Sequence, residues 1–199
     1  NILKLEPGCL LSLKLEDTAS RPSLKLRAPA SEGSLRLTRW WSLHEVVEDG
    51  RASRITDEKE ALVLLESQLR ESIRLQLAAD VPLGAFLSGG VDSSLIVALM
   101  QSEANTPVST YTIGFSEANY DEAVYARSVA KYLQTNHTEL YLSAADAQEV
   151  IPLLPTLYDE PFADSSQIPT FLVAQMAKKY VTVALSGDAG DELFAGYNR

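Results

Sequence analysis

Seven consecutive residues, Ser88-Gly89-Gly90-Val91-Asp92-Ser93-Ser94, follow directly on the apolar run Leu83-Gly84-Ala85-Phe86-Leu87. A buried strand that breaks into Ser-Gly-Gly and reopens as a helix suits an anion. The glycines let the backbone turn sharply and come close to a ligand, so that successive amide N–H groups converge. The helix opening at Asp92 aims its unpaired N–H groups at the same spot. Ser88, Ser93 and Ser94 add hydroxyls. Asp92 is the odd member, because a carboxylate beside a phosphate is repelled unless a cation lies between them, which points to Mg2+. The plainer reading is a serine- and glycine-rich turn without a ligand. A second cluster, Ser186-Gly187-Asp188-Ala189-Gly190-Asp191-Glu192-Leu193-Phe194-Ala195-Gly196-Tyr197, follows the apolar run Tyr180-Val181-Thr182-Val183-Ala184-Leu185. Its three carboxylates, Asp188, Asp191 and Glu192, lie within five residues at the end of a core strand. They suit Mg2+ ligation or the positioning of a substrate ammonium; the plainer reading is a solvated acidic turn at a helix start.

Strands and helices in alternation must carry these loops. The hydrophobic pattern predicts strand 83–87, helix 92–103, strand 108–114, helix 121–134, strand 137–142, a helix over about 146–154, helix 168–179 and strand 181–185. Such alternation means βαβ units and a parallel sheet, hence a doubly wound α/β layer. Ligands of open α/β sheets bind outside the carboxyl ends of the strands, so both loops would face one crevice. From Thr56 the pattern is helical. Asp57 with Glu60 resembles a capping box, and Leu62, Leu65, Leu69, Ile73 and Leu77 mark one face through about Ala79. Before that the period is two: Leu11, Leu13, Leu15, then Leu24, Leu26, then Leu35, Leu37, with turn chemistry over 17–22 and 28–33. We therefore expect a division near residue 52, with a short β appendage over 1–52 and the α/β layer over 53–199. The appendage strands are expected to close the edge of a larger sheet that this chain does not contain.

The heptapeptide is neither the Walker sequence nor the dinucleotide fingerprint. It resembles the PP-loop, Ser-Gly-Gly-x-Asp-Ser/Thr-Ser, of the ATP pyrophosphatase superfamily, whose members cleave ATP to AMP and pyrophosphate and hold the pyrophosphate there. Three further segments follow in series: Tyr111-Thr112-Ile113-Gly114-Phe115, Asp159-Glu160-Pro161-Phe162-Ala163-Asp164, and residues 186–197. With them, residues of about 55–199 resemble the front half of the synthetase domain of glutamine-hydrolysing asparagine synthetases. Residues 1–52, with Leu5-Glu6-Pro7-Gly8 and the Trp40-Trp41 pair, resemble the end of that family's glutaminase domain.

The resemblance implies an adenine nucleotide alpha hydrolase-like fold and a two-step reaction. A carboxylate, aspartate in the family, attacks the α-phosphorus of ATP, and ammonia derived from glutamine then displaces AMP to give the amide. It implies ATP and Mg2+ as cofactors, with Ser88, Gly89, Gly90, Asp92, Ser93 and Ser94 on the pyrophosphate, and Asp92 and Asp191 on the metal. Ser186 borders the nucleotide, Leu87 and Gly187 offer backbone to the base or ribose, and Ile113 packs on adenine; Asp188, Asp191 and Glu192 are the catalytic candidates. Asp188 stands where some members carry glutamate, and Ala189 where glycine is common. Two alternatives stay open. One is a related ligase acting on another acid, such as a lactam-forming or polysaccharide-amidating enzyme; the other is a non-catalytic nucleotide-binding module. The resemblance also implies that the glutaminase nucleophile lies upstream and that a helical region with basic residues follows. The present stretch alone would then bind Mg-ATP weakly or be inert.

Composition narrows the classes. A formal net charge of −10 argues against nucleic acid as a partner, because a polyanion needs a basic surface. No apolar run is long enough to cross a bilayer, which leads us to expect a cytoplasmic protein with small-molecule partners; a homodimer is open to the full-length protein. Cys9 is the single cysteine, and it reads as a small hydrophobe in a strand rather than a nucleophile. His44 and His137 lack metal-ligand spacing, Trp40 and Trp41 are expected to pack at a domain boundary, and Asp121-Glu122 reads as the acidic first turn of a helix. Asp164 before Ser165-Ser166 reads equally as a helix cap or as a border of the nucleotide site.

Overall fold

A computed structural model describes residues 4–17, 27–115, 121–160, 163–194 and 196. The chain divides into two compact units, Asn1–Ala61 and Leu62–Arg199. In the first, β1 (Cys9–Ser12), β2 (Ala30–Glu32) and β3 (Leu35–Arg39) form an antiparallel sheet of order β1-β3-β2. Leu11 and Ala30 both pair with Leu37, which is buried at its centre. Within this chain the strands pair with one another, and β2 replaces part of the turn expected over 28–33, leaving the reversal to Gly33 at φ +59°. Leu13 lies beyond β1 and Leu15 in a single 3-10 turn, both exposed; alternation does not reveal where a partner strand ends. Leu24 and Leu26 lie outside the described residues. Trp40 and Trp41 are exposed in this chain. Helix α1 (Leu43–Ala52) was not expected, although Ser42 and Glu45 carry its signal: the Ser42 hydroxyl accepts the Glu45 N–H.

Helix α2 (Glu58–Leu77) starts as the sequence predicts, with the Glu60 N–H donated to Asp57 Oδ1 at 2.8 Å. Along its apolar stripe Ile73 is buried and Leu65, Leu69 and Leu77 are half-buried, while Leu62 is exposed.

The second unit holds four parallel strands: β4 (Leu83–Phe86), β5 (Ser109–Phe115), β6 (Asn136–Leu142) and β7 (Val183–Leu185), in the order β6-β5-β4-β7. Helices α3 (Val91–Glu103) and α4 (Ala123–Leu133) connect β4 to β5 and β5 to β6. Then α5 (Ala144–Val150), α6 (Leu154–Leu157) and α7 (Gln167–Ala177) lead back to β7, on the other side of β4, and α8 (Gly190–Phe194) follows it. The single helix expected over 146–154 is broken into α5, a 3-10 turn and α6, because Pro152 and Pro155 lack the N–H groups that would continue it. β7 begins two residues late: Val181 N–H bonds Ala177 O, and Thr182 and Val183 N–H both reach Pro82 O.

Helices cover both faces. One core joins Ile73 of α2, Val97 and Met100 of α3, and Ala126 and Ala130 of α4 to Ala85, Leu87 and Leu185. On the other face Met176 and Ala177 of α7 pack with Tyr111, and Leu172 with Leu142 and Val150. The unit is thus the doubly wound α/β layer expected. Burial on both faces explains the near-continuous apolar strands, in which the buried hydroxyls of Thr110 and Thr112 stand out. Among the described residues no helix is long and apolar enough to cross a membrane.

Candidate active site

Strands run outward from β4 to β5 and β6, and the chain then returns to place β7 on the opposite side of β4. The edge between β4 and β7 is where the winding reverses, and ligands of open α/β sheets bind at that crevice. Leu83 pairs with Val183 and Ala85 with Leu185, so the 88–94 loop and the 186–192 loop leave neighbouring strands at the same end.

The first loop is folded largely by its own serines. Ser88 N–H donates to Ser93 Oγ at 3.1 Å, and the two hydroxyls lie 2.9 Å apart. Gly90 N–H reaches Ser88 Oγ at 3.2 Å, and Ser93 Oγ reaches Gly90 O at 3.3 Å. Gly89 turns the chain at φ +82°, and a Cβ there would lie 2.6 Å from Ala126 N and 2.7 Å from Tyr125 Cβ. Only glycine fits, and the start of α4 thereby backs the loop. Gly90 caps α3 without a side-chain hydrogen bond, so the first-turn amides stay open to an anion. Ser93 is buried within the loop's hydrogen bonds. Ser94 stands apart: its Oγ is buried with no partner among the described residues, and the residue lines a groove with Leu95 and Ala98 of α3 and Ser128, Val129, Tyr132 and Leu133 of α4.

The second loop rests on the first. A Cβ on Gly187 would fall 2.7 Å from Ser93 N and 3.0 Å from Asp92 C, and one on Gly190 would collide with the Asp92 carboxylate. Asp92 therefore lies against the residue preceding Asp191. Ser186 Oγ donates to Asp188 Oδ2 at 2.9 Å and accepts the Asp188 N–H at 3.4 Å, and Ala189 sits in the left-handed region at φ +74°. Gly190 N–H closes on Gly187 O at 3.2 Å, and Gly196 N–H on Asp191 O at 3.2 Å. Asp191 and Glu192 occupy the first turn of α8, Asp188 and Glu192 being exposed. Ala195 and Tyr197 lie outside the described residues.

Leu87, just before the first loop, is 1% exposed. Its N–H donates to Tyr111 O at 2.9 Å and its carbonyl accepts the Thr112 hydroxyl, leaving one carbonyl lone pair for any ligand. Ile113 is half-buried against the cluster of Leu142, Val150 and Leu172. Asp121 and Glu122, expected in the first turn of a helix, precede α4, which begins at Ala123; Asp121 Oδ1 accepts the Ala123 N–H at 3.1 Å, and a Cβ on Gly114 would lie 2.9 Å from the same oxygen. Asp164 Oδ1 accepts the Ser166 N–H at 2.9 Å, a turn ahead of α7 whose cap residue, Ser166, makes no side-chain cap bond; Pro161 and Phe162 lie outside the described residues. Thr112 enters the sequence reading only as a member of the segment 111–115, without a role, and Tyr125 and Ala126 do not enter it. A hydroxyl in a strand buried on both faces was the available sign for Thr112, since such a group must find a partner.

Mg2+ takes oxygen ligands and is held by one or two carboxylates plus substrate phosphates. Asp92 and Asp191 fit that donor set, and among the described residues no group of three acidic, histidine or cysteine side chains forms a complete metal cage.

The Methanocaldococcus jannaschii protein assigned as asparagine synthetase [glutamine-hydrolyzing] 2 is 43% identical over 144 residues, 72% of this chain and 28% of that protein. Asparagine synthetase [glutamine-hydrolyzing] 1 of Bacillus subtilis is 36% identical over 143 residues, 72% of this chain and 22% of that protein. The chain thus spans between a fifth and a third of the length of these relatives. Among solved structures, the NH3-dependent NAD synthetase of Campylobacter jejuni aligns at TM-score 0.47 and 15% identity, over 66% of this chain and 58% of that one. Residues 64–199 match the Asparagine synthase family, to which this chain belongs.

Proposed function

We propose that the parent protein is an ATP-dependent amide-forming ligase that adenylates a carboxylate, aspartate in the first instance, and transfers ammonia from glutamine to give asparagine. The observation that carries this reading is the seating of Gly187 and Gly190 on Ser93 and Asp92, which puts an acidic loop directly beside an anion loop at the winding reversal. Residues 53–199 belong to the synthetase domain in this reading, and 1–52 to the end of a glutaminase domain.

The first-turn amides of α3, with Gly89, receive the β- and γ-phosphates, while Gly90, its N–H held by Ser88 Oγ, offers a backbone without a side chain for close approach. Ser88 and Ser93 hold those amides in place, so the donors are set before the pyrophosphate leaves and little reorganisation accompanies the reaction. Asp92 and Asp191 would hold Mg2+, which neutralises phosphate charge when bound. Leu87, Ile113, Ser186 and Gly187 border adenosine along the ends of β4, β5 and β7. Asp188, turned by Ser186, and Glu192 face the acceptor, where a carboxylate can bind its ammonium group. Catalysis is then mainly positioning: the acceptor carboxylate is held in line with the α-phosphorus, and ammonia displaces AMP from the acyl-adenylate.

The test is ATP–pyrophosphate exchange by the full-length protein with Mg2+, with and without aspartate. Aspartate-dependent exchange that Asp92→Asn abolishes is the expected result. Exchange that needs a different carboxylic acid would move the acceptor, and Asp188, shorter than glutamate, is the residue to examine then. A folded protein that supports no exchange with any acid and binds no Mg-ATP would overturn the enzymatic reading.

A further inference from the structure

We infer that Thr112 is a positioning residue for nucleotide binding: its buried hydroxyl donates to the carbonyl of Leu87 and sets where the chain leaves the sheet to form the 88–94 loop. The inference rests on the nucleotide reading above. Residue pairing between β4 and β5 ends at Phe86 with Tyr111. One residue on, Leu87 still gives its N–H to Tyr111 O at 2.9 Å, and its carbonyl takes the side chain of Thr112. At Ser88 the bonding changes altogether, because that N–H turns to Ser93 Oγ inside the loop. Leu87 is therefore the joint between sheet and loop, and β5 grips both of its backbone groups. Thr112 is 3% exposed, so no water substitutes for its hydroxyl at low cost. A valine of the same shape keeps the apolar packing and the strand preference but leaves the Leu87 carbonyl without that donor. The loop's amides then lose one anchor at their base, and misplacement of a binding group by a fraction of an ångström is felt in affinity.

The experiment uses the full-length protein and three variants, Thr112→Val, Thr112→Ala and Thr112→Ser. Mg-ATP affinity is measured by calorimetry, pyrophosphate exchange at saturating ATP gives the rate, and thermal melting gives stability. Thr112→Val is expected to raise the Kd for Mg-ATP about 5- to 10-fold while leaving the saturated exchange rate within about twofold. Thr112→Ser is expected to bind within about twofold of wild type, since it keeps the donor. Should the valine variant fail to fold, the alanine and serine pair makes the same comparison, as the two differ only by the hydroxyl. A valine or alanine variant that melts earlier but binds Mg-ATP like wild type would reduce Thr112 to a packing residue and overturn the inference. Serine and alanine variants equally weakened would do the same. Wild-type protein that binds no Mg-ATP would instead overturn the nucleotide reading itself.

Discussion

The two loops at the β4–β7 edge are built on opposite plans. The 88–94 loop carries its own scaffold: Ser88 and Ser93 bond each other and the backbone, Gly89 is pressed on Ala126, and the 13-residue helix α3 anchors its end. The 186–192 loop has no buried residue to match Ser93, passes through a non-glycine residue at φ +74°, and leads into the five-residue α8. Where they touch, the contact is made by glycines of the second on backbone and carboxylate of the first. An anion needs fixed amides, and preorganised donors cost no rearrangement when charge develops. Carboxylates that bind a cation together with its substrate tolerate a looser frame, since metal and phosphate complete the site on arrival.

The contrast is broken most severely by Gly187→Ala. Its Cβ would fall 2.7 Å from Ser93 N, where backbone cannot yield, so the loops must part. Pyrophosphate exchange by the full-length protein should drop about 100-fold with the fold retained, as judged by circular dichroism. A variant within a few-fold of wild type would mean that the loops need not touch. Ser93→Ala should act next, by loosening the first loop alone. Its buried hydroxyl bonds three groups of that loop, and its loss should lower stability by about 1–3 kcal/mol and weaken Mg-ATP binding; unchanged denaturant midpoint and affinity would count against the self-scaffolded loop. Ala189→Gly probes the second loop in the opposite direction. Relief of a left-handed alanine gives about 1–2 kcal/mol, against about 0.5–1 kcal/mol of added chain entropy in the unfolded state. A small rise in melting temperature with exchange unaltered is expected, and a fall would show that the strain is not there.

The smallest effect belongs to a site remote from both loops and serves as their control. At the amino ends of β5 and β6, His137 Nδ1 bonds Thr110 Oγ1 at 2.9 Å, while its Nε2 lies 3.4 Å from Glu139 Oε1 without hydrogen-bond geometry. Burial lowers the His137 pKa below 6.5 despite the Glu139 charge, and Arg127 adds to the lowering. The native state thus favours neutral imidazole. Its contribution is present above the unfolded pKa and is lost as pH falls from about 6.5 toward the folded value. Glu139, bonded by Arg127, has its pKa lowered too, so its contribution fades only at more acid pH, below about 4.5. Between about pH 7 and about pH 5.5 the melting temperature of wild type should fall more steeply than that of His137→Gln. Parallel slopes would remove His137 from the acid sensitivity.

Much of the second unit was legible because its signals are local. Strand–turn–helix punctuation around Gly89 and Gly90 and the alternation of strand and helix segments from β4 to β7 each depend on residues near in sequence. Local signals were also misjudged: Ser42 with Glu45 announced α1, and Pro152 and Pro155 announced the break between α5 and α6. Leucine alternation in the first unit overran its strands, since period alone does not state where pairing stops.

By itself the sequence determined the two candidate loops, the doubly wound layer that carries them, and the residue types able to hold phosphate and a hard cation. Only the tertiary structure decided that the loops touch through Gly187 and Gly190, that Ser93 braces its loop while the buried Ser94 hydroxyl bonds none of it, and that Thr112 grips Leu87. The physical reason is distance along the chain. A turn or a helix start is selected by its own few residues, whereas those contacts join positions brought together only when β4 pairs with β5 on one side and β7 on the other.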